Sequence, residues 1–135
     1  MHKQLVTAAV VAAIVSAAAP LSAQQAPPGA SAIKRTILQR TDAPDGKTEV
    51  VLGVAEIGAD AMVGRHSHPG AVMAQVAEGE FRLVLDGQAE KVYKAGESFT
   101  IPSGAIHNEG ATHAGAKVTA VYVVEKGKPL ATPAP

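Results

Sequence analysis

The apolar positions of this chain fall into two regimes. Residues 5–19, LVTAAVVAAIVSAAA, are apolar apart from Thr7 and Ser16. From Ile33 onward the apolar residues come in short runs cut by glycine, proline and aspartate, and several runs alternate with polar residues. Alternation with period two marks a strand with one face in a core, whereas a helix repeats about every 3.6 residues. No segment of the second regime sustains the helical period. In order, the runs predict strands over residues 33–41, 47–57, 61–68, 71–77, 80–85, 88–94, 98–101 and 117–124. Turn chemistry separates them: residues 42–46 read DAPDG, and Glu78-Gly79, Asp86-Gly87 and Ala95-Gly96-Glu97 each carry a glycine free to take a positive φ. Gly53, inside a valine-rich run, predicts a bulge or a close backbone approach. Short strands at close spacing, joined by glycine turns, predict an all-β sandwich or barrel.

The first regime reads differently. His2 and Lys3 precede the apolar run, and Pro20, Ser22 and Ala23 follow it. A short basic start, a brief apolar run and small residues at its end compose a secretory signal peptide. A membrane span needs about 20 apolar residues, so an uncleaved anchor is the weaker reading. The organisation that follows is a signal peptide over residues 1–23, cleaved near Ala23, then a flexible lead and first strand over 24–44. A barrel over 45–125 and a proline-containing tail over 126–135 complete it. The expected location is the periplasm or the medium, with no stable membrane anchor after cleavage.

The chain has no cysteine, which excludes disulfides, thiolate metal sites and a cysteine nucleophile. Lysine and arginine balance aspartate and glutamate at 12 each, and loss of Lys3 with the leader leaves one net negative charge. Nothing in that balance suggests a nucleic-acid footprint. Aromatic residues are confined to Phe81, Tyr93, Phe99 and Tyr122, too few for a stacking platform.

The chemistry concentrates in RHSHPGAVMAQVAEG, residues 65–79, and GESFTIPSGAIHN, residues 96–108. His66 and His68 stand two apart, so in a strand both point to one face. If a neighbouring strand brings His107 beside them, three imidazoles converge, and imidazole is the commonest protein ligand for transition metals. A lone histidine is more often packing or surface, and His113, in the glycine-rich stretch EGATHAGA, is expected to be exposed and not a ligand. Glu56 is a weaker candidate oxygen ligand, more readily a solvated carboxylate. Arg65 and Arg82 are candidates to hold an anion at the mouth, Asn108 to orient a ligand from behind, and Met73 and Gln75 to pack on the opposite face. No catalytic residue is assigned.

These two stretches resemble the motifs of the cupin family. The first motif has two histidines one residue apart, then a glutamate, then a glycine; His66, His68 and Gly79 fit it. In the second, Gly96, Pro102, Gly104 and His107 stand at the family's spacings. Three positions depart: Val72 stands where the glutamate is usual, Asp60 where a glycine usually precedes the first histidine, and Ala111 where an asparagine often follows the third. The resemblance implies an all-β fold, a single cupin or jelly-roll β-barrel, and a divalent transition metal held by His66, His68 and His107. Three neutral imidazoles without the glutamate disfavour magnesium and calcium and leave iron(II) first, then zinc, nickel, copper or manganese. Within the family such sites occur in iron dioxygenases. The leading expectation is therefore an exported metal-binding cupin, a dioxygenase-type oxidoreductase on a small molecule. The alternative is a non-catalytic periplasmic module binding a metal or small ligand. The resemblance also implies a homodimer, for which the valine-rich segments 50–54 and 118–124 are candidate surfaces.

Overall fold

The computed structural model describes residues 32–135. The expected signal peptide, its cleavage site and most of the lead lie outside the described residues. Within them the chain is all strand and turn. In order the strands are β1 (Ile33–Asp42), β2 (Thr48–Ile57), β3 (His66–Ser67), β4 (Gly70–Leu85), β5 (Lys91–Lys94), β6 (Ser98–Ile101), β7 (His107–Glu125) and β8 (Thr132–Pro133). The jelly-roll expectation holds: one curled sheet runs β1-β2-β7-β3-β8, with β4 pairing β5, β6 and β7.

Two long strands make the curl. The sequence predicted separate strands over 71–77 and 80–85; β4 instead runs unbroken through Glu78-Gly79, with register shifts on both sides of that pair. Gly79 has a φ of 74°, and a Cβ on it would lie 2.1 Å from the Gly115 carbonyl oxygen. Only glycine fits there, so its motif position marks a tight bend of one strand where a strand end was expected. Likewise β7 begins ten residues before the predicted start at Lys117. The stretch EGATHAGA, read as a loop, lies within it. The first half of β7 pairs with the second half of β4, from His107↔Leu85 to Ala111↔Phe81. Its second half pairs with the first half of β4 and with β2.

Alternation then sorts the faces. Val72, Ala74 and Val76 are buried while Met73 and Gln75 are exposed. On the inner face Phe81 stacks on Phe99 with centroids 4.6 Å apart, and with Ile101, Leu83 and Val118 they fill one end of the barrel. Offset aromatic pairs at this distance add to the burial of their area. β1 behaves otherwise: it pairs only with β2, and Lys34 to Asp42 are exposed.

Candidate metal centre

The two motifs meet through β3. It is only two residues long, shorter than the strand expected over 61–68, and it pairs His66 directly with His107 of β7. His68 follows two residues on and faces the same way. The three ring centroids lie 4.2, 4.9 and 5.0 Å apart, and one nitrogen from each lies within 4.8 Å of the others. All three side chains are buried, His107 completely.

Backbone carbonyls set the rings. Nδ1 of His66 lies 2.8 Å from the Gly64 oxygen, Nδ1 of His68 2.6 Å from the Leu130 oxygen, and Nδ1 of His107 2.9 Å from the Ala105 oxygen. A carbonyl oxygen only accepts, so each Nδ1 donates, and each Nε2 is the nitrogen left with a lone pair. The motif residues serve this arrangement. The turn after Pro102 presents Ala105, and Gly104 donates its N–H to the His68 carbonyl at 3.0 Å. Asn108 accepts the Gly64 N–H at 3.0 Å, which holds the carbonyl that orients His66. Asn108 thus works behind the ligands, as its place beside His107 suggested.

The sequence reading missed a carboxylate. Glu109 follows His107 by two residues on β7 and shares its face, so period two, applied to His107 as it was to His66, was the available signal. Its oxygens lie 3.8 Å from Nε2 of His66 and 3.7 Å from Nε2 of His107. The usual glutamate position on β4 is Val72, buried in the apolar core as the alternation implied. The expectation of a cup without a carboxylate is therefore corrected: β7, the strand that carries His107, supplies one.

These groups fit a cation. Three imidazole lone pairs and a carboxylate converge, and Nε2 of His107 is buried with no hydrogen-bond partner. Burial pushes the His68 pKa down to about 4, against the opposing Leu130 carbonyl contact. Burial also lowers that of His107, with the Ala105 carbonyl and Glu109 acting the other way. Both shifts favour neutral imidazoles at His68 and His107, whose Nε2 atoms then face the centre of the cluster as acceptors. Buried polar groups are rarely left so. Three histidines are thus positioned to bind a metal ion, with Glu109 alongside.

The remaining walls shape the cup. The Tyr122 ring stands edge-on to His68 at 5.4 Å, and its hydroxyl pKa is raised by burial and by Glu109. A cavity of about 60 Å³ beside the imidazoles is lined by Arg35, Gly53, Glu109, Tyr122 and Leu130 among others. A more open one of about 410 Å³ lies over His66, between Arg35, Arg65, Ala131 and Pro133. A third cavity, about 540 Å³, contains no imidazole and is lined by Lys34, Glu56, Glu78 and Lys117 among others.

Other candidates fall elsewhere. Glu56 is paired with Lys34 at 3.6 Å, away from the histidines. His113 is exposed and lies 3.1 Å from Asp60, so it is not a ligand. Arg65 is bound to Asp86 and to the Pro135 carbonyl, and Arg82 to Glu90 at 2.7 Å, so neither is free at the mouth. The tail is part of the site: Thr132–Pro133 pairs with His66–Ser67, and Leu130 orients His68.

Residues 53–128, more than half of the chain, match the cupin domain family, and the chain belongs to it. Among solved structures it is similar to the polyketide cyclase RemF from Streptomyces resistomycificus, with a TM-score of 0.59 at 27% identity over 75% of this chain and 71% of that one. A cupin superfamily protein from Desulfitobacterium hafniense gives 0.59 at 14% identity, over 69% and 78%. The DMSP lyase DddQ from Ruegeria pomeroyi gives 0.57 at 15%, over 62% of this chain and 42% of that one. No curated protein sequence matches the chain.

Proposed function

We propose that this cupin is an exported protein that holds a divalent transition metal through His66, His68 and His107 and transforms a small molecule in the cup. The observation that carries the metal is the convergence of acceptors, with the buried Nε2 of His107 lacking any partner. When bound there, a divalent metal supplies Lewis acidity to a carbonyl or hydroxyl oxygen. Glu109 then stands in reach of a carbon next to that oxygen; it takes a proton and returns it elsewhere on the ligand. The Tyr122 hydroxyl, kept protonated by burial, donates a hydrogen bond to the oxygen that gains charge. This assigns metal-assisted proton transfer, the chemistry of isomerases, cyclases and lyases. The similarity to a polyketide cyclase at 27% identity supports that class.

A second reading is a dioxygenase-type oxidoreductase using iron(II). Three imidazoles with one open side favour it. Export rests on the leader pattern of residues 1–23. A homodimer is proposed from the outward apolar side chains Met73 and Val123 and from Ile37 and Leu38 on the edge strand, all exposed.

Elemental analysis of protein purified from its own compartment without a histidine tag tests the metal, with His107→Ala beside it. Near-stoichiometric metal in the wild type, lost in the variant, is the expected result. No metal in either, even after anaerobic reloading with iron(II), would overturn the reading. Oxygen uptake by iron-loaded protein separates the two chemistries, because proton transfer consumes none.

A further inference from the structure

The cup carries one charge that neither the metal nor its ligands use. Arg35 sits on β1 opposite Ala55, which in turn pairs with the buried Val118 of β7. Partners across a sheet share a face, so Arg35 stands on the concave side. It lines both the small cavity at the imidazoles and the open one above them. Its charge reaches His68 and Tyr122, lowering the pKa of each as a lesser influence behind burial.

Arginine at a protein surface is ordinarily paired or solvated. Among the described residues the other three arginines all have carboxylate partners: Arg40 with Glu49, Arg65 with Asp86, Arg82 with Glu90. Arg35 has none, although Glu109 lines the same cavity. A guanidinium is a planar fork that matches a carboxylate with two parallel hydrogen bonds. A fork at the rim of a polar cup, unpaired among the described residues, is placed to take an anion from a ligand.

We propose that the ligand of this cup is a small organic anion, its carboxylate held by Arg35 at the mouth while a second oxygen reaches the imidazole site. The proposal rests on the metal reading above and adds the substrate class. Size supports it. The space beside the imidazoles is about 60 Å³, room for a few heavy atoms, and a second cavity of about 410 Å³ shares Arg35, His66 and Ala131 with it. Polarity supports it too. Glu109, Tyr122 and Arg35 line one cavity, while the buried Val72 offers nothing to bind charge.

The test uses protein purified from its own compartment and loaded with cobalt(II), whose visible bands report a ligand at the metal. Azide, which needs only the metal, is titrated first. Oxalate, malonate, succinate and glutarate follow, with monomethyl succinate as the singly charged control and inorganic phosphate as the competing anion. We expect azide to bind wild type and Arg35→Met alike. One dicarboxylate length should bind wild type at least about tenfold more tightly than shorter or longer members, the range of a hydrogen-bonded charge. Arg35→Met should erase that preference, and Arg35→Lys, which keeps the charge without the fork, should keep part of it. Arg35 lies on an exposed edge strand, so neither variant threatens the fold.

Equal dicarboxylate binding by wild type and Arg35→Met would overturn the proposal while azide binding leaves the metal site standing. Tighter binding of phosphate than of any dicarboxylate would also overturn it, in favour of an inorganic anion. Protein that takes up no cobalt and shows no response to azide fails the metal reading itself, and the ligand class goes with it.

Discussion

Replacing Glu109 with glutamine separates a functional carboxylate from a structural one, because the two roles predict opposite signs. In the metal-free protein the Glu109 oxygens stand 3.7 and 3.8 Å from imidazole nitrogens that carry lone pairs. Glutamine keeps the shape, removes the charge and brings an amide that donates to one of those nitrogens. One new hydrogen bond to a buried acceptor contributes about 1 kcal/mol. For a domain near 100 residues that raises the metal-free Tm by about 4–8 °C.

Metal binding moves the other way. A divalent ion and a carboxylate about 4 Å apart interact by about 8 kcal/mol at an effective dielectric near 20, and desolvation of the carboxylate offsets most of that. About 1.5–3 kcal/mol remains, a loss of 10- to 100-fold in metal affinity for Glu109→Gln. Competition against a chromophoric chelator with zinc measures it, and differential scanning calorimetry measures the metal-free Tm. A carboxylate that merely packs would give a lower Tm and an unchanged zinc affinity. Zinc affinity within twofold of wild type refutes the reasoning, whatever the Tm does. Glu109 raises the pKa of His107, so its loss also weakens proton competition there. Zinc binding by Glu109→Gln should therefore fall off less steeply as the pH drops below neutrality.

Three further outcomes follow from the same geometry. His68 titrates at 6.5 in the unfolded chain and about 4 in the fold, so between those values only the unfolded state takes up the proton. Stability of the metal-free protein should be full above pH 6.5 and fall as pH drops through that window, by roughly 3 kcal/mol at its lower end. Urea midpoints at pH 7.5, 5.5 and 4 check it, and a flat profile contradicts it. Ending the chain at Gly127 removes the Leu130 carbonyl that orients His68 together with the β8 pairing, and should weaken zinc binding about 10- to 100-fold. The core, which uses none of those residues, should keep its cooperative melt, and undiminished zinc affinity would show that the tail does not set the ring. Gly79→Ala places a Cβ against the Gly115 carbonyl at a positive φ and should cost at least about 2 kcal/mol. A denaturation midpoint equal to wild type would disprove that bend.

Much of this was legible in the sequence because strand periodicity and spacing are local. Two histidines at HxH share a face whatever the rest of the chain does, and Ser98–Ile101 was bounded from its turn residues alone. The element ends went astray where tertiary pairing overrides a turn signal. Glu78-Gly79 and Gly115 read as breaks, but their positive φ values let long strands bend without ending. Asp60, a departure from the family glycine, takes a φ of 58°, a region aspartate enters more readily than most residues. The motif there recorded a backbone conformation, and aspartate meets it. The tail escaped because a proline-rich composition says nothing about a single carbonyl that reaches a histidine 62 residues away.

The displaced carboxylate has a structural logic. Val72 pairs with Tyr122 across β4 and β7, so the two share the inner face. With valine there, buried to 2% exposure, the position beside Tyr122 carries no charge, and the Tyr122 ring lies edge-on to His68. The carboxylate comes instead from Glu109, two residues after His107 on the same strand, with its oxygens 3.7 and 3.8 Å from Nε2 of His107 and His66. Period two then places the third histidine and the acid on one face of β7, whatever stands on β4. The substitution that weakens the family motif on paper is thereby matched by a carboxylate at the same histidines.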